Sequence, residues 1–416
     1  MYGERLCNIL GRMIFVQVLQ KALSQRHPLR ILWHRGKTCC AALAYRFPAR
    51  KLVIIGITGT DGKTTTVGML SHILKEAHIR HGALSTAFFL IGDTMEWNTT
   101  QKTSPSPFTV QRFLRQCVTA KCTHAILECS SHGLVQGRLN FIWPTVAAIT
   151  NTSPEHLDYH GTFEQYKKDK AILFYMLNGK GTKVLNKDDC SDPLLKNIPS
   201  AHIQEYSYHL QPITSNLTLN IPGSFNIENA MCAIACAEAI GVNRDAAIEA
   251  LKTFPTIPGR MEKIEEGQPF DVIIDFTVTP VAYQKTLSAL CASLPPDKRL
   301  LVLTGSCGDR MKEKRPIIGR ICSTLADIVV VSNEDPYTED PEKIIDDVIS
   351  GTRDGKASVH RIIDRTEAIR FLFKKAQPGD TVLLCGKGSD TTMWTKEGQI
   401  PWNEREIARE LLHPTP

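Results

Sequence analysis

A run of Val, Ile and Leu at residues 51–58 leads straight into Gly56-Ile-Thr-Gly59-Thr60-Asp61-Gly62-Lys63-Thr64-Thr65. No other stretch constrains the fold as tightly. The apolar run reads as a strand buried on both faces, and residues 63–78 read as the helix behind it. Strand, glycine turn and helix together make one unit of an α/β domain. The turn also has a chemical use. Its N–H groups and the helix N-terminus form a cradle for phosphate, Lys63 reaches outer phosphate oxygens, and Thr64 offers a hydroxyl to Mg²⁺. The common phosphate loop has a glycine five residues before Gly62, where this chain has Ile57; here the glycines recur every third residue.

The rest of the chain repeats the α/β pattern. Buried strands are expected at 125–128 and 146–150, and an Ala- and Cys-rich helix at 225–240 stops at Gly241. Pro255 and Pro258 mark a boundary. Strands expected at 272–275, 300–304, 328–331 and 382–385 then alternate with helical stretches, which gives a second, mostly parallel sheet. A chain of 416 residues exceeds one ordinary core. The expected division is a short basic helical segment (1–50), a central P-loop-type ATPase domain with a mostly parallel sheet (51–256), and a C-terminal Rossmann-like α/β domain (257–416).

The net charge of +6 is local: residues 1–51 hold ten Lys or Arg against Glu4 alone. Leu6, Ile9, Leu10 and Met13, and then Leu29, Leu32 and Trp33, fall at helical spacing and predict two short amphipathic helices. Such a segment is a solvated face or a surface for membrane, nucleic acid or an anionic ligand; peripheral membrane contact is compatible with it, and nucleic acid is not expected. The 13 cysteines are scattered without a Cys-x-x-Cys, which points to a reducing cytoplasm rather than to a disulfide framework or zinc ribbon. No signal peptide or membrane span is expected. His156 and His160, four apart, lack a third ligand at zinc spacing.

Several motifs, in order, carry a family resemblance. The loop is similar to the Gly-Thr-Asn-Gly-Lys-Thr-Thr signature of the Mur ligases, with Asp61 for asparagine. Glu128-Cys-Ser130-Ser131-His132-Gly133-Leu resembles the Glu-Val-Ser-Ser-His-Gly-Leu of the MurE branch. Asn151-Thr-Ser-Pro-Glu155-His156-Leu-Asp158-Tyr159-His160-Gly161 resembles the family's Asn-x-x-x-Asp-His-Leu-Asp-Tyr-His-Gly, with Glu155 for aspartate. The resemblance implies ATP and Mg²⁺, with Gly59 to Thr65 on the nucleotide, and Thr64, Glu128, His156 and Lys170 about the metal. Lys170 matches the lysine that the family converts to a carbamate. A neutral amine adds CO₂, so burial and nearby cations must first lower the lysine pKa. Thr103, Ser104, Ser130, Gln136 and Arg138 are implied to hold the acceptor dipeptide.

In the second half, Phe225-Asn226-Ile-Glu-Asn229 and Gly259-Arg260-Met261-Glu262 look like the family's adenine-reading helix and hinge. Asp275-Phe-Thr-Val278-Thr279-Pro280 matches Asp-Tyr-Ala-His-x-Pro without its histidine. The resemblance implies nucleotide contacts from Asn229, Arg260 and Asp275. Arg310 is implied to clamp an α-carboxylate. Asp335-Pro336-Tyr337 stands where meso-diaminopimelate enzymes carry Asn-Pro-Arg, and Gly386-Lys-Gly388-Ser-Asp390 stands for Gly-Lys-Gly-His-Glu. Tyr337 cannot pair a second carboxylate, and Asp335 or Asp390 is expected to receive the distal ammonium of lysine.

The resemblance runs from about residue 52 to 395, and the basic segment stands where MurE has its UDP-binding domain. It implies a monomeric, cytoplasmic ligase. ATP would activate a carboxylate of a nucleotide-linked muropeptide as an acyl phosphate, and an amino acid would complete an amide. Catalysis is expected from Lys63, Lys170, His156 and Arg310. The alternatives are a related ligase of folyl-polyglutamate or cyanophycin type and a nucleotide-binding homologue without turnover.

Overall fold

A computed structural model describes residues 26–100, 102–209, 217 and 219–413. Two sheets carry the fold. The first contains β1 (Val53–Thr58), β2 (His81–Leu84), β3 (Phe88–Ile91), β4 (Thr94–Trp97), β5 (His124–Glu128), β6 (Val146–Ile149), β7 (Thr182–Asn186) and β8 (His202–Tyr206), in the order β4-β3-β2-β5-β1-β6-β7-β8. Pairings from β2 through β8 are parallel, and β3 and β4 fold back antiparallel at one edge. β1 lies between β5 and β6, so the phosphate loop leaves the middle of the sheet at its C-terminal edge, where α/β folds bind ligands.

The second sheet runs β13-β12-β11-β14-β10-β9. It is built from β9 (Glu262–Ile264), β10 (Asp271–Asp275), β11 (Leu300–Thr304), β12 (Ile328–Val331), β13 (Ser358–Arg361) and β14 (Thr381–Cys385), with β9 alone antiparallel. A hairpin of β15 (Thr392–Thr395) and β16 (Gly398–Pro401) follows. This is the α/β architecture expected: a large, mostly parallel sheet joined to a second sheet domain. The expected strands appear to within a residue or two. The helix read as 63–78 stops at Glu76, because His78 takes a left-handed φ of 56°.

Six helices surround the site. They are α1 (Pro28–Ala44), α2 (Lys63–Glu76), α3 (Pro107–Thr119), α4 (Ser131–Val135), α5 (Leu157–His160) and α6 (Phe163–Tyr175). Ser106 caps α3 by accepting from Thr109 N–H, and Pro107 opens it. The Ala- and Cys-rich helix Ser224–Glu238 lies on α2, where small side chains allow close approach.

The N-terminal reading needs a correction. The first expected helix, at Leu6 to Met13, lies outside the described residues. The second exists as α1, but it is 17 residues long and Leu29, Leu32 and Trp33 face outward. Its buried residues are Thr38, Ala41 and Ala42, and Thr38 Oγ1 donates to Gly137 O at 2.9 Å. Small residues let the helix lie flat on the domain. Among the described residues no helix is long and apolar enough to cross a membrane.

Candidate active site

The phosphate loop is fixed by shape and by hydrogen bonds. Gly59 (φ 150°) and Gly62 (φ 79°) take conformations that favour glycine, and a Cβ there would lie 1.8 Å from Thr150 Oγ1 and 2.0 Å from Asn229 Oδ1. Thr60 N–H donates to Asn151 O (2.8 Å), and Asp61 N–H to Asn151 Oδ1 (3.1 Å). Asp61 O accepts from Thr150 Oγ1 (2.7 Å) and Asn151 Nδ2 (3.0 Å). Asn151 thus holds the loop. The first-turn N–H groups of α2 have no acceptor within the helix and face the cradle. Lys63 Nζ reaches Thr60 O at 2.8 Å.

Glu128, at the end of β5, accepts hydrogen bonds from separate segments. Thr64 Oγ1 donates to its Oε2 (3.0 Å), and so does Thr86 N–H (2.7 Å). The Thr86 hydroxyl lies 2.9 Å from both Glu128 Oε1 and Thr103 Oγ1. Arg260, from the second domain, reaches Thr64 Oγ1 at 3.4 Å. A carboxylate and a threonine hydroxyl beside an open phosphate cradle form a hard-oxygen set that suits Mg²⁺ held jointly with phosphate. Among the described residues no three His, Cys, Asp or Glu side chains form a ready-made cage. Thr86 belongs to no motif, and nothing in the sequence marks it.

Lys170 lies on α6 under the loop. It is 1% exposed, donates to Gly59 O at 2.6 Å and sits 4.2 Å over the Tyr166 ring. Burial, then the charge of Lys63, holds its pKa well below the lysine range. His156, left-handed at φ 56°, packs edge-on against His132 at 4.9 Å. Burial, then His132, holds its pKa well below the usual histidine value. His160 is occupied on both nitrogens, Nδ1 at 2.5 Å from Asp169 Oδ2 and Nε2 at 3.0 Å from Ser131 Oγ. Arg26 grips Asp169 with both terminal nitrogens (2.5 and 3.1 Å). Neither Arg26 nor Asp169 was singled out from sequence, although Asp169 is the one acid among Lys167, Lys168 and Lys170.

The residues implied for the acceptor share one wall. Arg138 donates to Ser104 O (2.7 Å) and to Gln136 Oε1 (2.8 and 2.6 Å). Ser104 Oγ bridges Glu128 O and Ser130 N–H, and Ser130 Oγ caps α4 by accepting from Gly133 N–H. Asp275 turns inward: it accepts from Met261 N–H (2.7 Å) and from the Thr277 hydroxyl, and so fixes the interdomain linker. Thr279 Oγ1 lies 3.2 and 3.3 Å from the two Asp61 oxygens, and Lys314 Nζ meets Val278 O (3.1 Å) and Glu155 Oε1 (3.5 Å).

In the second domain, Arg310 is exposed and lies 5.3 Å over the Tyr337 ring, which stacks on Trp394 at 5.5 Å; the Arg310 charge is near enough to His132 to help hold that imidazole's pKa down, after burial and the charges of His160 and Arg138. Asp335 and Asp390, expected to meet a lysine substrate's ammonium, instead meet the buried Lys387 of the chain, at 2.9 and 3.3 Å. Asp335 Oδ1 also accepts from Trp394 N–H. Burial pushes the Asp390 carboxyl up to about 6 against the pull of Lys387. A Cβ on Gly386 would lie 2.5 Å from Glu334 Oε2.

Residues 57–212 match the Mur ligase middle domain, and residues 259–388 the Mur ligase, glutamate ligase domain. The chain belongs to the Mur ligase family. It is 35% identical over 414 residues to a UDP-N-acetylmuramyl-tripeptide synthetase of Roseiflexus sp. (strain RS-1), covering 89% of this chain and 81% of that one. It is 33% identical over 406 residues to a UDP-N-acetylmuramoyl-L-alanyl-D-glutamate–2,6-diaminopimelate ligase of Nostoc sp. (strain PCC 7120), covering 90% and 80%. A solved structure of a ligase of the latter name superposes with TM-score 0.57 at 29% identity, over 87% of this chain and 78% of that one. Mycobacterium tuberculosis folylpolyglutamate synthase (TM-score 0.66, 18% identity, 91% and 96% covered) shares the fold. Like other Mur ligases, the chain is an ATP-dependent, amide-forming ligase.

Proposed function

We propose that this Mur ligase adds an amino acid to a UDP-N-acetylmuramoyl-dipeptide. One observation carries the reading: the Lys63–Thr64 loop, Glu128 and the second domain's Arg260 converge on one cradle, with the acceptor wall of Ser104, Ser130, Gln136 and Arg138 beside it. A dipeptide carboxylate oxygen bonds to the γ-phosphorus as the bond to ADP breaks. The amino acid's amine then attacks the acyl carbon, loses a proton and expels phosphate, leaving an amide.

In this reading Lys63 and the first-turn N–H groups of α2 hold the phosphates as charge shifts. Thr64 and Glu128 hold Mg²⁺, which neutralises phosphate charge when bound. His156 keeps a neutral ring whose lone pair is available to a metal. The neutral amine of Lys170 bonds to CO₂ and releases a proton; the resulting carbamate would sit beside Gly59. Asn229 lies on the adenine side, Thr103 extends the acceptor wall, and Arg310 receives the amino acid's carboxylate. The protein works as a monomer in a reducing cytoplasm, where its twelve described cysteines stay free.

Phosphate release tests the reading. It is expected only when ATP, UDP-N-acetylmuramoyl-L-alanyl-D-glutamate and an amino acid are all present. Release with a folate-type acid in place of the muropeptide would move the chain to another substrate. ATP binding without release under any combination would make it a non-catalytic homologue.

A further inference from the structure

One face of α1 has no partner among the described residues. Leu29, Leu32, Trp33 and Leu43 are 60, 66, 45 and 58% exposed. They are four of the twelve large apolar side chains standing exposed among the described residues, and the other eight are spread along the rest of the chain. Scattered single exposures are ordinary, whereas a contiguous set marks an interaction surface. With Gly36 and Cys40 the four residues form one stripe. At about 100° per residue the stripe spans an arc of about 100°, with Lys37 on one side and Arg35 on the other. The opposite face, Thr38, Ala41 and Ala42, is the one packed on the domain.

Charge decides what this stripe fits. Residues 26–51 hold seven Lys or Arg and no Asp or Glu. The preceding 25 residues add Arg5, Arg12 and Lys21 against Glu4. That segment, or a second copy of α1, would bring positive charge against positive charge, whereas an anionic surface would neutralise it. Trp33 with Lys37 Nζ 4.9 Å over its ring is a pairing suited to a headgroup boundary, where the indole sits shallow and the ammonium reaches phosphate.

We propose that α1 seats the protein on an anionic lipid surface. Leu29, Leu32, Trp33 and Leu43 enter the acyl boundary, and Arg35 and Lys37 meet lipid phosphates. This docking is independent of the ligase chemistry, because the stripe faces away from the packed side of α1.

The test is co-sedimentation of the full chain with phosphatidylcholine–phosphatidylglycerol vesicles and with pure phosphatidylcholine vesicles. Binding is expected to be at least about tenfold stronger to the anionic vesicles and to weaken with salt. Leu32→Ser/Trp33→Ser and, separately, Arg35→Glu/Lys37→Glu should each reduce it about tenfold or more, with the thermal melt of the serine variant unchanged because Leu32 and Trp33 lie off the packed face. Phosphate release on soluble substrates should stay at the wild-type rate in the serine variant, which separates this proposal from the ligase reading. Failure to pellet with anionic vesicles overturns the proposal. So does binding of either variant at the wild-type level, or a concentration-dependent dimer that the serine variant abolishes while vesicles bind neither protein.

Discussion

Lys170→Ala is expected to separate the chemistry of this site from its stability. The wild-type amine is 1% exposed and donates to Gly59 O at 2.6 Å. Removing it orphans a buried carbonyl, at about 1–3 kcal/mol, and strips roughly three buried methylenes, at about 0.8 kcal/mol each. Against this, the variant no longer desolvates an amine, so a net loss on the order of 2 kcal/mol is expected. Activity should fall much further, by about 10³-fold or more, equivalent to about 4 kcal/mol, because a charge placed beside the phosphates is lost. Acetate or propionate should partly restore turnover by filling the vacated space. The pH dependence has a definite sign. With the folded pKa held well below the unfolded value, the folded state binds fewer protons, so this group makes stability rise with pH between the two values. Lys170→Met should therefore gain stability relative to wild type as pH falls through that window. The assays are phosphate release with and without bicarbonate, thermal melts across pH, and ¹³C NMR after ¹³C-bicarbonate. Full activity of the unrescued alanine variant, or an active enzyme with no carbamate signal, refutes the reasoning.

Lys63→Ala should lose phosphate release while its melt matches wild type, because its amine serves the cradle; unchanged turnover would remove the phosphate-loop assignment. Gly62→Ala forces a Cβ to 2.0 Å from Asn229 Oδ1 at φ 79°, so a stability loss of about 1–2 kcal/mol or more and a raised KM for ATP are expected, checked by melts and steady-state kinetics. Arg26→Ala leaves a largely buried Asp169 with His160 and Gln165 alone; because Arg26 is itself 31% exposed, the expected loss is only about 1–2 kcal/mol, with Arg26→Lys recovering part of it in a melt. With one arginine at the amino-acid site, lysine should outcompete meso-diaminopimelate, whose second carboxylate finds Tyr337; a tenfold kcat/KM advantage for meso-diaminopimelate, about 1.4 kcal/mol, would show the argument wrong.

What the sequence made legible was mostly short in range. The phosphate loop could be read because strand, glycines and helix are contiguous, and each glycine answers to a local φ or a close neighbour. The oxygen set at Glu128 was only half readable: Thr64 and Glu128 sit in motifs, but Thr86 enters from a loop without one. Helical spacing gave α1 but not the face that meets the domain, because periodicity defines a stripe and cannot say which stripe packs inward. Small residues at Thr38, Ala41 and Ala42 were the better clue, since only they permit close packing. Asp335 and Asp390 were read as waiting for a substrate cation, yet Lys387 stands within the same loop, three residues before Asp390. A buried pair of acids needs a partner, and the nearest lysine in sequence supplies it.

The departures from the family pattern, Asp61, Glu155 and Val278, read singly as weakening. In space they meet at one seam between the domains. Asp61 accepts from Thr279, and burial raises its carboxyl against the pull of Lys63 and the Thr279 hydroxyl. Glu155 meets Lys314; its Oε2 is buried without a hydrogen-bond partner, and burial raises this carboxyl too. Lys314 also bonds Val278 through the backbone carbonyl, a contact that requires no particular side chain at 278. Drift at three independent sites would leave scattered unpaired groups. Here Asp61 and Glu155 each touch the second domain, and Val278 shares Lys314 with Glu155, close to where Arg260 reaches Thr64. The changes are thus better understood as one altered interdomain contact set than as three separate losses of function.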